Sequence, residues 1–130
     1  MRSSESGRAR DYPFYGNVRP LLNEVLHALD RLLEDDEPTV IDLAGLPFGP
    51  GELEHLEATL GQGELSARLD ALGMSRIRET AIPGVWWVEH RNAADEIMGR
   101  FLEITRTPEI LLSQVADIKA GRARLKEQLD

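Results

Sequence analysis

Pro83-Gly84-Val85-Trp86-Trp87-Val88-Glu89-His90-Arg91, running on into Asn92-Ala93-Ala94-Asp95, is the stretch on which the fold turns. Val85–Arg91 is rich in β-branched and aromatic residues and has turn formers at both ends. Runs of the same kind lie on either side, Arg76–Ile82 before it and Ile97–Thr105 after it. Links this short cannot hold a crossover helix, so the three runs read as an antiparallel meander. The two tryptophans are adjacent and must point to opposite faces of such a sheet. Trp86, Val88 and His90 form one side; Val85, Trp87, Glu89 and Arg91 form the other, which we take as the candidate open face. Cover of Trp87 by the C-terminal helix or the N-terminal arm is the competing reading.

Upstream, Val18, Leu21, Leu22, Val25, Leu26, Leu29, Leu32 and Leu33 fall on one side of a 3.6-residue wheel, with Asn17 placed to cap. That helix ends at Glu34-Asp35-Asp36-Glu37-Pro38, where acids oppose the helix dipole and Pro38 disfavours helix in the residue before it. Thr39–Leu43 is a short β-branched run. A loop with three glycines and two prolines leads into a second helix, Glu52–Leu60, stopped by Gly61. Leu65–Ala71 alternates as a half-buried strand does, although Leu65, Leu69 and Leu72 also fit a helical period. Val115, Ile118, Leu125 and Leu129 mark a final amphipathic helix interrupted by Gly121. The order is α-β-α-β-β-β-β-α, an α+β two-layer sandwich with about five antiparallel strands and three helices. Residues 1–16 are polar and aperiodic and read as a flexible arm before a single domain, 17–130.

The chain has 130 residues, no cysteine and a formal charge of −8. The whole excess lies between Asp30 and Glu57, where nine acids accompany one base, Arg31. Such a window repels phosphate, which argues against nucleic acid as a partner. Without cysteine there is no disulfide, thiolate metal site or thiol nucleophile, a composition suited to a reducing cytoplasm. Apolar runs are too short for a membrane span, and no apolar segment follows the basic N-terminus as a secretory signal requires.

Few residues carry a chemical signature. Glu24/His27 and Glu52/His55 have the Glu-x-x-His spacing of di-iron proteins, but both histidines lie off the leucine stripes and should face water. Gly61-Gln62-Gly63 leaves a helix rather than opening one, the reverse of a phosphate loop. Glu79, Glu89 and Glu103 offer paired carboxylates on adjacent strands, yet Arg76, Arg78, Arg91 and Arg100 lie on the same strands and explain them as ion pairs. A small metal carrier or carboxylate-based enzyme is therefore the alternative reading; we expect no metal, no cofactor and no catalytic residue. The favoured site is a protein-binding surface of Arg76, Arg78, Glu79, Trp87, Glu89 and Arg91, a composition common in binding hot spots.

Pro38-Thr39-Val40-Ile41-Asp42-Leu43, Leu60-Gly61-Gln62-Gly63-Glu64-Leu65-Ser66, Ser75-Arg76-Ile77-Arg78-Glu79-Thr80, Pro83–His90 and Pro108-Glu109-Ile110-Leu111 occur in that order. From about Val18 to Leu129 the chain resembles the C-terminal domain of the HupH/HyaF family, accessory proteins of nickel–iron hydrogenase expression and maturation. The resemblance implies a non-catalytic chaperone role. Its partners would be the precursor of the iron–sulfur small subunit and possibly other maturation proteins. Lacking cysteine, the chain would shield or present its partner rather than hold a cluster. Members of that family are longer, with a related domain upstream, so a one-domain chain is expected to pair with itself or to lack part of the binding surface. Solubility accounts for the acidic residues Glu34, Asp35, Asp36, Glu37, Glu52, Glu54 and Glu57. A further expectation from the resemblance is that they attract the basic twin-arginine leader of the small-subunit precursor.

Overall fold

The computed structural model describes residues 15–71 and 73–130. The expected arm, 1–16, falls almost entirely outside them. Helix α1 (Val18–Asp35) leads into strand β1 (Thr39–Asp42), helix α2 (Glu52–Leu60), strands β2 (Ser66–Asp70), β3 (Met74–Glu79), β4 (Val85–Arg91) and β5 (Ile97–Ile104), and helix α3 (Val115–Leu129). The five strands form one sheet in the order β1-β5-β4-β3-β2, with every neighbouring pair antiparallel. The expected α+β arrangement is the one observed. The segment with two possible periods, 65–71, is a strand, its Leu69 and Ala67 half-buried on one face.

Pairing puts Val85 opposite Ile104 and Trp87 opposite Leu102 on β5, with Ile41 of β1 beyond. These side chains meet Val18, Leu21, Val25 and Ala28 of α1 and Leu56 and Leu60 of α2 in the main core. The helices therefore take the Val85/Trp87 face of the sheet. On the other face Ile77, Trp86 and Val88 form a second cluster with Leu69, Phe101 and Leu111, the last carried by a single helical turn at Glu109–Leu111.

Three local expectations change. Asn17 does not cap α1; its amide instead donates to the Pro47 carbonyl (2.9 Å) and to Glu52 Oε1 (3.3 Å), joining the two helix starts. β3 stops at Glu79 because both the amide and the hydroxyl of Thr80 donate to the Val85 carbonyl and turn the chain. Gly121 does not interrupt α3, which is continuous; a glycine within a helix costs only about 1 kcal/mol against alanine.

Candidate interaction groove

α1 and α2 do not cover the whole of their sheet face. Beyond α2, toward β2 and β3, two adjoining depressions of about 470 and 240 Å³ share Glu57, Gln62 and Arg78 in their walls. Their shape follows from the α2–β2 link. Gly61, at φ 71°, ends α2, and the Gly63 amide donates to the Glu79 carbonyl at 2.8 Å. A Cβ at Gly63 would lie 2.5 Å from the Thr80 carbonyl oxygen, so the link can run this close to β3 only as glycine.

Alternation along β3 and β4 brings Arg76, Arg78 and Glu89 to the same face as Trp87. The Arg78 guanidinium lies 5.2 Å from the centre of the Trp87 ring and is ion-paired with Glu57 of α2. The Trp87 indole N–H donates to Glu89 Oε2 at 3.2 Å, and Arg100 Nε donates to the same oxygen at 3.0 Å. Arg91 stands 3.9 Å from the other Glu89 oxygen and is tied to Asp95. Burial pushes the Glu89 carboxyl up, but hydrogen bonds from Arg100 and Trp87 and the charges of Arg100 and Arg91 outweigh it. The net effect leaves Glu89 below its ordinary value. Arg76 is exposed, and its side chain has no ion pair or hydrogen bond among the described residues.

Of the predicted surface, Arg76, Arg78, Glu89 and Arg91 therefore gather on one side of the sheet. Trp87 does not belong to an open face: it is 2% exposed, because the helices pack on its side, and it acts as the floor under Arg78. Glu79, at the end of β3 and opposite Trp86 in register, also lines the smaller depression with Arg76, Arg78 and Glu89. Arg100 joins the network through a register that places it opposite Glu89, a relation the sequence alone does not reveal.

The acidic window is also divided. Glu34, Asp35, Asp36 and Glu37 are exposed at the end of α1, while Glu54 and Glu57 flank the groove. Glu52 leaves the set altogether. It is 1% exposed, and its carboxylate accepts from the Gly49 amide and from the backbone and side chain of Asn17. The Gly49 bond holds its carboxyl below the ordinary value, against the opposing effect of burial and with help from Asn17. With both oxygens so engaged, Glu52 is a helix tie rather than a ligand. His27 faces water as expected, but His55 is half-buried. Among the described residues no group of three His, Asp or Glu side chains has metal-holding geometry. Of the strand carboxylates, Glu79 and Glu89 both line the smaller depression, while Glu103 is opposite Trp86 in register, on the other face. Burial raises the Glu103 carboxyl, and the nearby Glu109 adds to the rise while His90 opposes it.

Residues 16–130 match the family model for the HupH hydrogenase expression protein, C-terminal conserved region. The chain belongs to the HupH family. The chain is 34% identical over 113 residues to hydrogenase expression/formation protein HoxQ of Azotobacter vinelandii, covering 85% of this chain and 40% of that protein. It is 29% identical over 111 residues to HupH of Rhizobium leguminosarum bv. viciae, covering 85% and 39%. This HupH-family chain thus spans about two-fifths of the length of these relatives. The solved structure of hydrogenase expression protein HupH from Thiobacillus denitrificans superposes with a TM-score of 0.84 at 46% identity, over 88% of this chain and 95% of that one. All the groove residues lie within the part matched to the family.

Proposed function

We propose that this HupH-family chain is a non-catalytic accessory protein of nickel–iron hydrogenase maturation. In this reading it works in the cytoplasm and binds the precursor of the iron–sulfur small subunit. The observation that carries the reading is the match of residues 16–130 to a family of hydrogenase expression proteins. Among the described residues no helix is long and apolar enough to cross a membrane, which agrees with action on a precursor before export.

The groove supplies the means of binding. Arg78 is held in place by Glu57 and Trp87, and Glu89 by Arg100 and Trp87, so a partner meets side chains already ordered. Arg76 is exposed at the rim, its side chain without an ion pair among the described residues, and is suited to a carboxylate on the partner. The chain has no cysteine and offers no thiolate to a cluster, so its contribution is to shield the precursor while clusters are supplied by others. Co-purification tests this: the tagged chain retains the cluster-free small-subunit precursor and not the large subunit, and Arg78→Ala weakens retention. No retention of the precursor by the wild-type chain at low salt would reject the reading.

A further inference from the structure

We propose that α3 of one copy of this chain docks into the groove between α1 and α2 of a second copy. This inference does not rest on the hydrogenase reading. α3 has no buried residue and belongs to neither core cluster. Its apolar side chains face solvent: Val115 is 67% exposed, Ile118 56%, Leu125 58% and Leu129 79%. With Arg122 they follow the alternating three- and four-residue spacing of a helix-packing seam.

The same molecule presents a surface of matching chemistry. A groove of about 220 Å³ is walled by Leu22, Val25, Leu26, Leu29, Leu60 and Ile82. Leu26 in its wall is 55% exposed, and Leu33, one turn on from Leu29, is 84% exposed. Asp30 and Glu34 stand exposed beside that stripe. α3 carries Lys119, Arg122, Arg124 and Lys126 against Asp117 and Glu127. Apolar seam would meet apolar groove and base would meet acid, the recognition mode of an amphipathic helix in a groove.

Charge also selects this pairing over α3 with α3. Lys119 and Lys126 lie seven residues apart on one flank, so two antiparallel α3 helices would set lysine against lysine. Two parallel ones would stack Arg122 on Arg122. The exposure of the seam shows that α3 does not occupy the groove of its own copy. A contact in which each chain gives a helix and receives one closes as a two-fold dimer.

Light scattering coupled to gel filtration, from about 1 to 100 µM chain, tests the proposal. The mass should rise from 14.5 kDa toward twice that value. Leu26→Asp, and separately Ile118→Asp with Leu125→Asp, should each weaken association about tenfold or more while far-ultraviolet circular dichroism stays unchanged. Mixing the two variants should restore part of the association, since one of the two contacts then has an intact α3 and an intact groove. A wild-type mass of 14.5 kDa throughout, wild-type association of Leu26→Asp, or a mixture that associates no better than either variant alone would overturn the proposal.

Discussion

Trp87 lies under α1 and α2 while its ring supports the Arg78 guanidinium and its indole N–H reaches Glu89. Truncation to Ala should therefore cost about 3–5 kcal/mol in a denaturant titration, and any loss of binding would follow from unfolding. Glu89 and Glu103 should respond oppositely to pH. The folded-state pKa of Glu89 is depressed, so its contribution is present above the unfolded value, near 4.5, and is lost as pH falls through the folded one. Glu89→Gln should thus lower the melting temperature at pH 7 and change it little at pH 3. Glu103 has a raised pKa, so its contribution is lost as pH rises through the folded value. Glu103→Gln should gain on the wild type between pH 4 and pH 7, as melting curves would show. The period-2 alternation made it legible that the tryptophans part to opposite faces. Which face the helices take was not, because that choice is made by contacts between α1, α2 and β5 that no local pattern encodes. The separation of Glu52 from the surface acids is not legible for a similar reason: its partner Asn17 lies 35 residues away.

The elements themselves were more legible. The leucine stripe, the Gly61 stop and the Pro83-Gly84 and Asn92–Asp95 links locate α1, α2 and the meander to within a few residues. Boundaries moved where a side chain intervened, as Thr80 does in closing the turn to Val85. The tie between the starts of α1 and α2 was invisible in the sequence. Glu52→Ala should lower the melting temperature by more than Glu54→Gln, since only Glu52 receives the Gly49 and Asn17 amides. Gly63→Ala forces a Cβ against the Thr80 carbonyl and should cost about 1–3 kcal/mol by denaturant titration. Hydrogen exchange should find α3, with no buried residue, protected far less than α1.

At the scale of the whole molecule, the charge of −8 is not one patch. It is divided between the end of α1, a buried tie at Glu52 and the acids beside Arg78. The groove there combines the ordered pair Arg78–Glu57 with the exposed Arg76, and it is the surface we propose for the partner. The most direct measurement is a binding titration of the small-subunit precursor against wild type and Arg76→Glu, with Glu34→Gln as a control at the far end of α1. The account predicts that Arg76→Glu weakens binding about tenfold or more at an unchanged melting temperature, with the control as wild type. Equal affinities for wild type and Arg76→Glu would contradict it.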